Sequence, residues 1–241
     1  ISHKLDEIFV VCDRVMVMRD GNFISVNPIG EISRAQIVSD MVGRKVSDGF
    51  VRSYCEPGEV LLEARNLTTK DGQTKNVDFI ARRGEIITLY GLMGSGRGHI
   101  LETVFGLHAI GSGELIYKGQ PFHPKSPEES IQKGMAFVPA ERKTDGVILG
   151  HSIGKNLSLP SLKDFSMGAC LNKGKEKKII DKAMQVLSVK AENAGVLAGS
   201  LSGGNQQKVV IGKWLARDPE LFIVHEPTKG IDVGTKFEIY T

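Results

Sequence analysis

Cysteine is scarce in this sequence. The 241 residues hold three, at Cys12, Cys55 and Cys170, odd in number and scattered, with no CxxC pair and no histidine-rich spacing. That pattern excludes a disulfide framework and gives no sign of a zinc site built on thiolates, so a cytosolic compartment fits best. Also missing is any run approaching the roughly 20 apolar residues that span a bilayer. The first residues, which include His3, Lys4 and Asp6, do not form a signal-peptide core. Any membrane connection is therefore expected to come through another chain. Nor is there a concentrated basic field: the formal net charge is +3, too mild for a nucleic-acid footprint. The chain starts at Ile1 without a Met and stops at Thr241 inside a helical pattern, and both ends are expected to be cuts.

What is present is ordinary globular material. With 41% hydrophobic and 24% charged residues, the chain can bury a core and has length for one large domain or two smaller ones. Leu5, Ile8, Phe9 and Cys12 recur at helical spacing, and Arg14 to Met18 alternates into a short strand closed by Asp20-Gly21, so a helix and then a hairpin are expected. Residues 43–59 are polar, contain Pro57-Gly58 and follow neither period, which predicts a linker with a domain boundary near residue 55. Beyond it, the segments from Val60 to Ala64, Val77 to Ala81 and Gly113 to Tyr117 read as strands of a small sheet. Glu85 to Gly91 is a mostly apolar run suited to a strand covered on both faces, and it opens into a glycine-rich loop and a helix stopped at Gly106. The spacing predicts an amphipathic helix over 175–189 with its lysines on a solvated face, a helix over 205–217, and a buried strand from Leu221 to Val224. No internal repeat is visible.

Three segments carry chemistry. The loop from Gly91 to Gly98 nearly fits G-x-x-x-x-G-K-[ST], in which backbone N–H groups wrap phosphate oxygens, a Lys neutralises them and a hydroxyl holds magnesium. Gly91, Gly94, Ser95, Gly96, Arg97 and Gly98 are its candidate nucleotide-binding residues. Arg97 stands where Lys is expected, and Gly98 where Ser or Thr is expected. Taken singly, such a loop is equally a left-handed turn between strand and helix. The string Leu201, Ser202, Gly203, Gly204, Asn205, Gln206 heads a predicted helix, so its backbone donors and the helix dipole can meet a phosphate, where simple capping is the plainer alternative. Finally, the strand from Leu221 ends in His225-Glu226-Pro227, and a carboxylate at such a strand end can orient or deprotonate the water that attacks a γ-phosphate, which makes Glu226 the candidate catalytic base.

In this order, the loop, the LSGGNQ string and the strand with Glu-Pro-Thr resemble the ABC ATPases, over residues 60–241. More narrowly, GLMGSGRG, FVPAERKTDGVILGHSI and EPTKGIDVGTKFEIY resemble the second nucleotide-binding domain of the tandem-domain sugar importer subunits. The resemblance implies an α/β P-loop NTPase core, a small antiparallel β subdomain and a helical subdomain between about Leu149 and Gly199. It implies that residues 1–55 are the tail of a first such domain plus a linker, and 56–241 most of a second. It further implies a γ-phosphate-sensing role for His3, a D-loop role for Asp232, and a signature role for Leu201 to Gln206 against a phosphate loop in the other domain. The cofactors implied are ATP and Mg2+. The implied partners are the remainder of the first domain, membrane permease subunits and, indirectly, an extracytoplasmic sugar-binding protein, with no nucleic acid. The implied place is peripheral, on the cytoplasmic face of a membrane.

Three departures from the family pattern bear on mechanism. Gly98 lacks the hydroxyl, His225 replaces the Walker B Asp, and no Gln occurs from Val138 to Lys143, where Ala140 and Glu141 stand instead. Magnesium wants near-octahedral oxygen ligation, so the phosphate loop of this chain is expected to bind nucleotide weakly and to hydrolyse almost none. The leading expectation is an ATP-hydrolysing importer subunit. The alternatives are a non-hydrolytic half that completes its partner's site, and an ABC protein of DNA repair or translation, against which the lack of a basic cluster stands.

Overall fold

Successive side chains of a strand point to opposite faces, and in the computed structural model the apolar run from Val15 to Met18 buries one face only: Val15 and Val17 are buried while Met16 and Met18 are exposed. The structure describes residues 5–19, 21–43, 54–167 and 170–240. They divide into two units, one formed by the described residues up to 43 together with 228–240, the other by Tyr54–Pro227.

In the first unit, helix α1 (Leu5–Val11) is followed by strands β1 (Arg14–Arg19) and β2 (Asn22–Pro28), antiparallel from Arg14↔Pro28 to Arg19↔Asn22. Leu5, Ile8 and Phe9, the apolar stripe of α1, pack against a cluster of Val15, Val17, Ile32 and Ile37. Helix α2 (Arg34–Val42) begins where the Ser33 hydroxyl accepts the N–H of Gln36, and ends at Gly43.

In the second unit, β3 (Val60–Thr69), β4 (Val77–Arg82), β5 (Ile110–Tyr117) and β6 (Gln120–Pro121) form an antiparallel sheet in the order β4-β3-β5-β6. The three strands expected from the sequence are its members, each longer than its sequence pattern. Beside it lies an α/β layer. Helix α3 (Arg97–Phe105), helix α4 (Pro127–Gln132) and helix α8 (Gly203–Leu215) pack on strand β7 (Met135–Val138), which pairs in parallel with β10 (Leu221–Val224). Every residue of β7 is buried. Phe105 stacks on Phe137 at 5.1 Å between ring centroids and meets Trp214 edge-on at 6.1 Å, which joins α3, β7 and α8 through one aromatic contact set. Helices α5 (Ile153–Ser158), α6 (Leu162–Phe165) and α7 (Lys173–Val186), with the short pair β8 (Ser166–Met167) and β9 (Cys170–Leu171), make the helical region expected between Leu149 and Gly199. Ile153, Leu157 and Phe165 are its fully buried centre. The last element, α9 (Val233–Tyr240), belongs to the first unit.

The run Glu85 to Gly91 is not the buried strand its composition predicts. It is irregular, with Ile86 72% and Tyr90 97% exposed. A strand is held by the hydrogen bonds of a neighbour. Among the described residues no strand pairs with 85–91. Leu221 to Val224 is a strand, but only Ile223 is buried in it.

Candidate functional site

The loop between β4 and α3 is shaped by its glycines and by the first sheet. Gly96 lies at φ 84, in the left-handed region, and a Cβ there would stand 2.5 Å from Thr74 Oγ1 and 2.7 Å from the Gln73 carbonyl. Thr74, buried in the β3–β4 connection, donates its hydroxyl to the Gly96 carbonyl at 2.9 Å. Only glycine fits there. Gly96 offers α3 no side-chain cap, so the first N–H groups of the helix and the positive end of its dipole are left facing the loop.

Arg97, the first residue of α3, turns its side chain to protein oxygens. Its guanidinium donates through Nη1 to the Gly91 carbonyl and through Nη2 to Glu226 Oε1, the latter at 2.6 Å. Glu226 follows β10 and takes φ 49, a left-handed conformation that costs a non-glycine residue about 1–3 kcal/mol. That cost is met by tertiary contacts, the ion pair with Arg97 among them. As arranged, the Arg97 fork is spent on protein oxygens and the Glu226 carboxylate on a cation, so neither is free for a phosphate or a water. Such a pair must open before Glu226 can serve as a base.

His225 and Gly98 share one space. The backbone N–H of His225 donates to the Val138 carbonyl at 2.9 Å, fixing it at the end of the β7–β10 pair. Its ring lies over Gly98 so closely that a Cβ there would stand 2.4 Å from His225 Cε1 and 2.9 Å from Nε2. The two departures from the phosphate-loop pattern are therefore one structural change: the imidazole occupies the place of the side chain that position 98 lacks. With no hydroxyl at 98 and no carboxylate at 225, these two positions do not fit a Mg2+ ion, which takes oxygen donors in octahedral geometry.

The LSGGNQ string heads a helix. Ser202 caps α8, and its exposed Oγ accepts the N–H of Asn205 at 3.4 Å and Asn205 Nδ2 at 3.1 Å. Asn205 Oδ1 in turn accepts the N–H of Lys190 at 3.0 Å, and Gln206 Nε2 donates to the Leu201 carbonyl at 3.1 Å. Gly203 is half-buried and Gly204 buried, as close packing of the first helical turn requires. The helix opens two residues before the sequence pattern suggests, because the cap is Ser202 itself.

Asp232 lies in the first unit. Its Oδ1 accepts the N–H of Thr235 at 2.9 Å and its Oδ2 the Thr235 hydroxyl at 2.7 Å, an N-cap arrangement for α9. Partial burial raises its pKa, but these and other backbone hydrogen bonds outweigh it and hold the carboxyl below its ordinary value. Asp232→Ala is expected to destabilise the first unit by about 1 kcal/mol, which urea unfolding of the variant measures, and loss of no stability would show that α9 is capped otherwise. His3 lies outside the described residues. Between Val138 and the five-residue π-turn at Arg142–Gly146, Ala140 is half-buried and Glu141 exposed.

The structure thus brings Gly91, Arg97, Gly98, His225 and Glu226 into one place and sets the LSGGNQ string at a helix start. It also gathers residues that sequence reading passed over. His99 and Glu102, a turn apart on α3, meet His108 beyond the helix stop and Asp71 from the β3–β4 connection. The His-x-x-Glu spacing was the available signal, and nothing local shows that His108 and Asp71 join it.

A model of the ABC transporter family matches residues 74–229. The chain belongs to that family. Its full length is 42% identical to a ribose import ATP-binding protein of Bacillus cereus and 43% identical to one of Clostridium tetani, covering 48% of each. It is 41% identical to a ribose/galactose/methyl galactoside import ATP-binding protein of Rhizobium etli, covering 46% of that protein. The chain spans about half the length of these curated relatives. Among solved structures, an ATP-binding cassette of an ABC transporter superposes with a TM-score of 0.64 at 19% identity, over 75% of this chain and 74% of that one. A dimeric cassette bound to ADP and Pi does so with a TM-score of 0.64 at 23% identity, over 74% and 79%. These likenesses establish the ABC cassette fold, with its P-loop α/β layer, antiparallel sheet and helical region. Among the described residues of this ABC chain, no helix is long and apolar enough to cross a membrane.

Proposed function

We propose that this chain is part of the ATP-binding subunit of a sugar importer, comprising the end of a first nucleotide-binding domain and most of a second. The observation that carries this reading is the LSGGNQ string at the capped start of α8, with Ser202 exposed. The identity of 41–43% to sugar import ATP-binding proteins along the whole chain supports it. In that role Ser202 and the first N–H groups of α8 bind the γ-phosphate of an ATP held on the other domain's phosphate loop, and Asp232 takes the D-loop role that the family resemblance implies. Transport then runs through separate permease subunits in the membrane, fed by a sugar-binding protein outside. The subunit sits peripherally on the cytoplasmic side, and its enzymatic output is ATP hydrolysis at the site it completes.

The site on its own loop is the non-hydrolytic one. Arg97 tied to Glu226, and His225 standing over Gly98, favour this second role of binding nucleotide without turning it over. Loop N–H groups and the α3 dipole can hold phosphate once Arg97 turns from Glu226 to the nucleotide, but no metal ligands act at 98 and 225. Titrating ATP into the chain with and without magnesium tests this. Weak binding that changes little on adding the metal is expected, with almost no hydrolysis. An affinity gain of about a hundredfold, near 2.7 kcal/mol, or substantial magnesium-dependent turnover, contradicts it.

A further inference from the structure

The phosphate-loop helix carries a second cluster, toward its C-terminal end. His99 and Glu102 lie three residues apart on α3, one turn of one face. The helix then stops at Gly106, at φ 86, where the N–H of Leu107 reaches back to the Glu102 carbonyl at 2.8 Å. This turn returns His108 to the end of the helix. His108 Nε2 lies 3.0 Å from Glu102 Oε2, the rings of His99 and His108 stack at 5.0 Å between centroids, and one donor atom from each of the three residues falls within 4.8 Å of the others.

The surroundings are built around this cluster. Asp71, from the β3–β4 connection, brings Oδ2 to 3.3 Å from His99 Nδ1, without the alignment of a hydrogen bond, and that buried nitrogen has no other partner. The carboxyl of Asp71 stays below its ordinary pKa through hydrogen bonds from the Thr69 hydroxyl and the Gln73 N–H. On the far side His225 Nδ1, also buried and without a hydrogen bond, lies 3.7 Å from Glu102 Oε1. Among the described residues no Lys or Arg forms an ion pair with Glu102 or Asp71, and the titratable groups set against these two carboxylates are three imidazoles. A divalent cation would supply balancing charge, and two imidazoles with one carboxylate are the donor set that zinc takes when a fourth position is left open.

We propose that His99, Glu102 and His108 bind a divalent transition-metal ion of the zinc class, with Asp71 behind the His99 ring as its orienting carboxylate. The three donors need to close by about an ångström to reach a common ion at about 2.0–2.2 Å. The stacked rings, now 26° from parallel, open by rotation about χ2, which is a soft torsion for His. The ion would tie the C-terminal end of α3 to the turn at His108, with Asp71 linking it to the antiparallel sheet. The site stands on the geometry of this cluster and needs no nucleotide, so it holds or fails separately from the importer reading.

Cobalt is the probe, because its visible bands report coordination and zinc displaces it. Cys12, Cys55 and Cys170 are exposed free thiols, so the titration is run on the chain with all three changed to Ser. One equivalent of Co2+ is expected to give bands of a four- or five-coordinate site that zinc abolishes. His99→Ala and His108→Ala are each expected to weaken binding by more than about a hundredfold, and Asp71→Asn by about tenfold, as suits a carboxylate that orients the His99 ring without touching the ion. In the chain with its histidines intact, zinc is expected to shift the imidazole 15N resonances of His99 and His108 and to leave those of His123 and His151 in place. That measurement decides the matter even if an alanine variant does not fold. Failure to saturate at one equivalent, binding unchanged in the doubly substituted His99→Ala/His108→Ala chain, or shifts confined to other histidines would overturn the site.

Discussion

Ser202→Arg, introduced into the tandem-domain protein proposed above, is expected to lower ATP turnover by about a hundredfold or more, the cost of losing preorganised donors at a developing phosphate charge. The substitution places a bulky cation at the start of α8, where in the proposed role the donors of that turn face the γ-phosphate. Its structural price is modest by comparison. Ser202 is exposed and its hydroxyl serves only Asn205, so removing the cap costs about 1 kcal/mol and a positive charge at a helix start about 0.3–1 kcal/mol more. A stable cassette that no longer works is the expected outcome. Ser202→Ala separates the two effects, since it loses the cap without blocking the phosphate, and should keep considerably more turnover than Ser202→Arg. Turnover undiminished in Ser202→Arg, with the protein folded, would remove the role assigned to the signature.

Gly98→Ser is expected to destabilise the chain by about 1–3 kcal/mol, although serine is the ordinary residue of a phosphate loop. Two effects oppose one another at this position. Replacing glycine in the first turn of α3 gains about 0.5 kcal/mol of helix propensity. The new Cβ, however, lands 2.4 Å from His225 Cε1, and that ring is hemmed in, with its Nδ1 buried and its backbone tied to Val138. The clash wins. Adding His225→Asp empties the space, so the double variant should recover most of the loss, and a double-mutant cycle by urea unfolding should give a coupling of about 1–3 kcal/mol between positions 98 and 225. Additive effects would show that the ring swings aside freely. With Arg97→Lys added, the loop regains the hydroxyl, carboxylate and amine of the ordinary pattern, and ATP binding should then become magnesium-dependent. Restoring one position alone cannot do this.

The same pair shows where sequence reading stops. Gly98 and His225 were each visible as departures, and both pointed to a poor magnesium site. That one exists because of the other became visible only when β10 was seen to deliver His225 onto the start of α3. The ion pair of Arg97 with Glu226 is of the same kind, made between residues 129 positions apart. It changes the meaning of both: a charge expected to meet phosphate is bound to the carboxylate expected to act as base.

What the sequence determined by itself is what short-range chemistry determines. Short apolar runs marked β1 and the strands of the antiparallel sheet, helical spacing found α8 to within two residues of its start, a glycine placed the end of α3, and the strings of the loop, the signature and the Glu-Pro-Thr segment announced an ABC cassette. Each of these depends on residues within a turn or two of one another, where periodicity and capping act. The tertiary structure decided which of the apolar runs became strands. Met135 to Val138 found a parallel neighbour in Leu221 to Val224 and was buried, while the mostly apolar run from Glu85 to Gly91 has no strand partner among the described residues and is open. It likewise decided that His99, Glu102, His108 and Asp71 share one place. Backbone pairing and side-chain convergence across long separations are set by how the layers pack, and that information is spread over the whole chain rather than written in any segment of it.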